Sequence, residues 1–384
     1  MPLRKWLRKG GLLPRDENVV VFLGAGASHA LNTTSPLDSS LLDRIMRRLS
    51  QKDNRRESHG HLDAYLSRYF GGRKAQLWDV LMLLDQGIPT DQATRNQLRE
   101  IIESQICGTA LDVMRGGDIG LDRLAATGLA TMLSRKWATM TIVTTNYDLV
   151  LDGNIKTEIN GWGLDQDNRP IGYDWLYSLE GRMKRVYSRR RIDGANIAPE
   201  LPLIPATGRR AKIIKIHGSV NWGYCPSCRE AFLINDPEPG IFHEPSTQHQ
   251  CRIPGCQQYI RRLFTTPAEM FMARLNMEPY KREVFEHLWQ NAEQAILDAD
   301  NLIFIGYSLP PEDRHVRMWL AKAKALTRRM TNVIVVSNGR DVARRYESVF
   351  GGDMHFFDRG LLSFIEENPL SSGIWPELIK PSSM

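Results

Sequence analysis

Cysteine is scarce in this chain of 384 residues: there are five, and four of them, Cys225, Cys228, Cys251 and Cys256, share one segment. So few thiols exclude a disulfide-built scaffold. The fifth, Cys107, stands alone in a predicted helix, Leu98–Met114, and reads as a small buried hydrophobe. No apolar run approaches the roughly 18 residues that cross a bilayer, so no membrane-spanning helix is expected. The start, Met1-Pro2-Leu3-Arg4-Lys5-Trp6-Leu7-Arg8-Lys9, is basic, but no apolar core or small-residue cleavage site follows it. A secretory signal is therefore not expected, and the chain is placed in the cytoplasm. Neither sign of charge dominates: 50 basic residues against 44 acidic ones give +6, too mild for this length to compel a nucleic-acid partner. No internal repeat is visible. What is present, 42% hydrophobic and 24% charged residues, is the balance of a globular protein of one large domain or two ordinary ones.

Short apolar runs supply the strands. Val19–Leu23, Thr141–Val143, Ile213–Ile216 and Leu302–Ile305 are each rich in β-branched or aliphatic residues, and each stops at glycine or a polar turn. Such runs read as buried parallel strands. Val333–Ser337 is a further core strand. Leu37, Leu41, Leu42, Ile45, Met46 and Leu49 recur at helical spacing, as do Leu77, Val80, Leu81 and Leu84, and then Leu98, Ile101, Ile102, Gln105 and Ile106. These stripes are packing faces of a helical insertion over 33–136, with turns expected at Arg55–Gly60 and Met114–Asp118. Helices are also predicted over Pro279–Ala299 and Val316–Leu326. Residues 152–210 carry Trp162, Tyr173, Trp175 and Tyr177 with no convincing period, and read as a long lid over the site. The predicted fold is α/β: a Rossmann-like doubly wound parallel sheet, with the helical insertion and a small zinc-ribbon module.

In such a sheet, ligands bind outside the carboxyl ends of the strands. Four segments fall there: Gly24-Ala25-Gly26-Ala27-Ser28, Thr144-Thr145-Asn146-Tyr147-Asp148, His217-Gly218-Ser219 and Gly306-Tyr307-Ser308. In the first, small residues let backbone approach a pyrophosphate, and the following helix N-terminus favours its charge. A third glycine of the full dinucleotide fingerprint is missing, since Ala30 stands near its place. An ordinary tight turn explains the loop equally well when it is taken alone. Asn146 can orient a water or a ribose hydroxyl, and Asp148 can fix its loop or contact the ribose. His217 has the side chain that titrates near neutrality and so can accept a proton. The competing readings are turn chemistry for Asn146-Tyr147-Asp148 and a structural histidine at 217. The conjunction of segments favours the site.

Cys225-Pro226-Ser227-Cys228 and Cys251-Arg252-Ile253-Pro254-Gly255-Cys256 are two turn-like pairs. That spacing suits a closed tetrahedral zinc site of structural character, which ranks above a redox pair or chance. His243 and His249 lie between the pairs as substitute ligands. The predicted zinc module spans 222–262.

The order of these segments resembles the sirtuin family and its divergent bacterial branch: a glycine loop, Asn-x-Asp after a strand, His-Gly after a later strand, and a four-cysteine cluster beyond. The likeness runs from about Asn18 to Asn338. It implies an NAD-binding domain over 12–384, with Asn146 and His217 as the catalytic pair. It also implies dinucleotide contacts at Gly24, Ala25, Gly26, Ala27, Ser28, Thr145, Asp148, Gly306, Tyr307, Ser308 and Asn338. Asp313 reads as a helix cap. Departures are informative. Leu31-Asn32-Thr33-Thr34-Ser35-Pro36 replaces the family's Gly-Ile-Pro-Asp-Phe-Arg stretch. Arg262-Leu263-Phe264-Thr265-Thr266-Pro267 stands where deacylases resemble one another in a Val-x-Phe-Gly-Glu segment that pairs with substrate peptide. The resemblance therefore implies an NAD hydrolase releasing nicotinamide and ADP-ribose rather than a protein-lysine deacylase. In the bacterial branch such hydrolases are antiphage effectors, many paired with a HerA-type DNA-translocase ATPase or another sensor, and self-association is expected. A non-catalytic NAD or ADP-ribose sensor is a further alternative. The weakest is a nucleic-acid binder built on the basic stretch Arg182–Arg191, which otherwise reads as a solvated loop or helix face.

Overall fold

The computed structural model describes residues 18–31, 37–51, 55–71, 75–89, 91–116, 128–129, 132–133, 139–148, 183–187, 210–234, 251, 253, 255–258, 260–265, 277, 279–311, 313–326, 332–352, 354–368 and 370. The expectations for Trp162, Tyr173, Trp175, Tyr177, His243 and His249 lie outside the described residues.

Six strands form one parallel sheet: β1 (Val19–Leu23), β2 (Thr139–Thr144), β4 (Arg210–Lys215), β8 (Asn301–Ile305), β9 (Asn332–Val336) and β10 (His355–Phe357). Their order is β10-β9-β8-β1-β2-β4. The chain leaves β1 in one direction, towards β2 and β4, then returns to β8 and proceeds the other way. This is the doubly wound order, with its switch point between β1 and β8. Both central strands are buried along their whole length, which is why they read as continuous apolar runs. Helices α6 (Pro279–Leu297), α7 (Arg314–Leu326) and α8 (Arg340–Phe350) touch in succession, and α1 (Ala25–Leu31) touches α9 (Gly360–Glu367). The main core runs through the sheet, where Val21, Ile303, Phe304 and Val335 are fully enclosed.

Between α1 and β2 stand α2 (Asp38–Ser50), α3 (Arg56–Phe70), α4 (Leu77–Asp85) and α5 (Gln92–Gly116). They close around a core of their own that includes Ile45, Leu62, Leu81 and Ile102. Two local expectations need correction. Arg55–Gly60 is not a turn: Arg56–Phe70 is helical through Gly60, because Leu62 and Tyr65 bury a face that outweighs one glycine. The basic stretch is neither loop nor helix at its centre: Met183–Tyr187 is β3, paired in parallel with the strand Glu230–Ile234.

A second sheet, β3-β6-β5-β7, contains β5 (Gly218–Cys225), β6 (Glu230–Ile234) and β7 (Arg261–Phe264). It begins where β4 ends. Gly218 (φ +81°) makes the corner, and a Cβ there would lie 2.5 Å from Leu263 O, so only glycine lets β5 pass this close to β7.

Candidate active site

Strand register sets the site. Lys215 pairs with Thr144, Thr144 with Leu23, Leu23 with Ile305, and Ile305 with Val336. The last residues of five strands thus form one row. The turns beyond these strand ends come to the same rim, carrying His217, Asn146, Gly24, Gly306 and Asn338.

At the switch point the two glycine loops press backbone on backbone. Gly24 N donates to Ile305 O at 3.1 Å, Gly26 N to Gly306 O at 2.9 Å, and Ala27 N to Gly24 O at 2.9 Å. A Cβ on Gly24 would lie 2.6 Å from Gly306 O, and one on Gly26 2.8 Å from the same atom. Gly306 sits at φ +60°, where a side chain would run into Gly26 and Ala27. The missing side chains therefore seat one loop in the other. Three amides of the first loop already donate inside the protein.

Asn146 is buried, and its Nδ2 donates to Gly24 O and to Ser28 Oγ, both at 2.9 Å. Thr144 Oγ1 accepts from Asn146 N and donates to Leu23 O, each at 3.0 Å. Asn146 Oδ1 is enclosed and accepts no hydrogen bond among the described residues. Ser28, whose oxygen is engaged by Asn146, keeps its own proton to donate. Thr145 N donates to Leu23 O at 3.3 Å, and Asp148 O accepts from the buried Lys215 Nζ at 2.5 Å.

His217 is buried at the joint between the two sheets. Ile216 N donates to Thr144 O at 3.0 Å, continuing the large sheet, while Thr265 N donates to His217 O at 2.8 Å, joining the small one. Trp289 Nε1, from α6, donates to Ile216 O at 2.8 Å. Tyr147 connects the Asn146 loop to His217: the two rings lie 5.9 Å apart and 29° from parallel.

The distal segment divides its duties. Tyr307 faces inward, with its ring 4.4 Å from that of Phe22 and its hydroxyl donating to Asp313 Oδ2 at 2.5 Å. Ser308 O accepts from Arg345 at 3.0 Å, and Tyr307 O accepts from Tyr346 Oη at 3.0 Å. Burial, and then the Asp313 charge, push the Tyr346 phenol well above its ordinary value. Asn338 is exposed, and its side-chain oxygen lies against Gly360 (φ +74°), where a Cβ would displace it.

The four cysteines converge. Their sulfurs all lie within 4.8 Å of one another, with Cys225 and Cys256 3.7 Å apart and Cys251 and Cys228 3.8 Å apart. Tetrahedral zinc–sulfur bonds of about 2.3 Å demand sulfur separations near ~3.8 Å, so the residues fit zinc. Cys228 N donates to Cys225 Sγ at 3.4 Å. Burial and neighbouring sulfurs push the Cys228 thiol up, and burial takes Cys251 to about 11, while a backbone donor at Gln258 draws Cys256 down. Bound zinc would favour the thiolate at all four.

A family model described as "SIR2-like domain" matches residues 140–351, more than half of the chain. The chain belongs to the SIR2-like family. The matched stretch of this SIR2-like chain runs from β2 to just past the end of α8. It takes in Asn146, His217, all four clustered cysteines and Gly306, and leaves out β1, the first glycine loop and α2 to α5. A solved SIR2 homologue in complex with NAD is 12% identical, with a TM-score of 0.45 over 91% of this chain and 87% of that one. A Sir2 structure bound to acetylated peptide is 13% identical, with a TM-score of 0.38 over 96% of this chain and 97% of that one. No curated protein matches the chain.

Two further residues, Lys215 and Thr265, hold this site without belonging to any of its motifs. No motif marked Lys215, although a lysine between Ile214 and Ile216 in a buried strand is itself a signal, since its charge needs a partner. Thr265 carried no signal: its place depends on β7 returning beside β5.

Proposed function

We propose that this SIR2-like protein is an NAD glycohydrolase, and that it serves bacterial antiphage defence by depleting NAD. Water attacks the ribose carbon that carries nicotinamide. The carbon–nitrogen bond breaks with its electron pair going to the nicotinamide ring, and the proton of the water passes to His217. The products are nicotinamide and ADP-ribose. One observation carries the reading. Asn146 is buried at the rim with Nδ2 fixed by Gly24 and Ser28, and with Oδ1 accepting no bond among the described residues. A buried acceptor held at fixed orientation is suited to a water or ribose hydroxyl, and such preorganisation lowers a barrier without reorganisation during reaction.

The dinucleotide contacts in this reading are Gly24, Ala25, Gly26, Ala27, Ser28, Thr145, Asp148, Gly306, Tyr307, Ser308 and Asn338. The NAD-binding domain covers 12–384, with the insertion at 33–136 and the zinc module at 222–262. Cys225, Cys228, Cys251 and Cys256 would hold zinc, which would serve as a structural cross-link rather than in the chemical step. The protein works in the cytoplasm, and among the described residues no helix is long and apolar enough to cross a membrane. Self-association or a HerA-type ATPase restrains it, and the separately cored α2 to α5 unit offers the docking surface.

Nicotinamide release is measured with and without an acetylated peptide, for the natural chain and for Asn146→Ala and His217→Ala. Release without peptide that both substitutions abolish is the expected result. Release that requires the peptide would make the protein a deacylase instead, and NAD binding without any release would make it a sensor.

A further inference from the structure

Tyr147 lies between the two members of the proposed pair, and the sequence motif gives its side chain no chemistry. Its ring stacks on His217 at 5.9 Å and meets the ring of Phe264 edge-on at 5.6 Å. Its hydroxyl donates to Thr265 O at 2.9 Å. Its carbonyl accepts from Val220 N at 3.0 Å and from Ser219 Oγ at 3.4 Å. The same half-buried side chain packs against the core of α2 to α5.

These bonds close a loop that joins Tyr147, Thr265 and the backbone of His217–Val220. Thr265, which takes the tyrosine hydroxyl at its carbonyl, gives its own amide proton to His217 O. His217 therefore has a fixed backbone, tied to β2 through Ile216 and to the end of β7 through Thr265. Its ring is another matter, because two side-chain torsions remain after the backbone is fixed. A flat surface at stacking distance selects among those rotamers, and a ring packed against Phe264 and the core of the helical insertion is a surface that does not move.

We propose that Tyr147 is a positioning residue: the face of its ring holds the His217 imidazole in one rotamer, seated mainly by its packing against Phe264 and the core of the helical insertion, with the Thr265 carbonyl adding only a minor restraint. The proposal rests on the reading of His217 as the proton acceptor in nicotinamide release. It makes the helical insertion part of the support of the site.

Two substitutions test it. Tyr147→Phe keeps the ring and loses only the bond to Thr265 O, whereas Tyr147→Leu removes the stacking surface; Tyr147→Met replaces the leucine variant should that one not fold. Crystal structures and steady-state nicotinamide release are obtained for each. With phenylalanine, the imidazole stays in place and kcat remains within about threefold. With leucine, the imidazole occupies more than one rotamer and kcat falls roughly tenfold, while KM for NAD stays within about twofold, since a misplaced proton acceptor weakens the chemical step rather than binding. An unmoved imidazole in the leucine variant overturns the proposal. So does a phenylalanine variant as impaired as the leucine one, which would assign the effect to the hydroxyl. A natural chain inert towards NAD would sink the hydrolase reading, yet the imidazole position in the two crystal structures would still decide the role of Tyr147.

Discussion

Asn146 and Ser28 lie 118 positions apart in sequence and meet at 2.9 Å, amide nitrogen to hydroxyl oxygen, both side chains buried. The bond ties the loop after β2 to the helix after β1. Ser28→Ala leaves one proton of Asn146 Nδ2 without its acceptor, so the amide can turn. Nicotinamide release should fall about tenfold, and unfolding free energy by about 1 kcal/mol. Rates and denaturant midpoints measured on one preparation check both, and an unchanged rate would remove Ser28 from the site.

Gly306 seats one glycine loop in the other at φ +60°. Gly306→Ala should cost more than about 3 kcal/mol, from strain and from collision with Gly26 and Ala27. Gly60 provides the contrast, because a Cβ there meets nothing within 4 Å and the residue is inside α3. Gly60→Ala should add about 0.5–1 kcal/mol. Thermal melts of the two variants should move in opposite directions.

The cysteine cluster should hold one zinc per chain by elemental analysis, and Cys225→Ser or Cys256→Ser should lose it. Removing zinc should weaken β5 and β7 before the large sheet, read as faster amide exchange at Trp222 and Leu263. Acid should do the same, since a metal that holds thiolates is released as they take up protons.

His315 stands between Trp289 and Trp319, with ring centroids 6.2 and 6.4 Å away. Burial draws its pKa below 6.5, with Glu293 acting in the opposite sense. The unfolded chain therefore binds this proton first. The stability contributed by neutral His315 is present above pH 6.5 and lost as pH falls through the folded value. His315→Phe should flatten the loss of stability on acidification from neutrality, and an unaltered slope would refute this account.

Tyr307 donates to Asp313 at the base of the distal loop. Tyr307→Phe removes a donor from a buried carboxylate and should lower stability by about 1–3 kcal/mol. The shift should be visible in Tm.

Strands β1, β2, β8 and β9 were legible because central parallel strands bury both faces and leave an apolar run, and β4, at the sheet edge, was legible because Ala211, Ile213 and Ile214 are buried even there. The helical stripes were legible for the complementary reason, a single buried face. β10 was not, since His355–Phe357 is too short to carry a period. The small sheet was not either: β5 and β7 pair across the cysteine segment, and their bonding depends on where the sulfurs bring the chain together.

Local chemistry alone determined the class of fold and the residues able to act. A strand that ends in glycine, asparagine or histidine announces itself through composition and spacing. Only the tertiary structure decided what those residues do to one another. Register across five strands set their turns in one row, close packing turned the glycines towards each other, and Tyr147 came to rest on His217. Spacing along a chain carries local periods, whereas register and stacking depend on which surfaces meet once the whole core is buried.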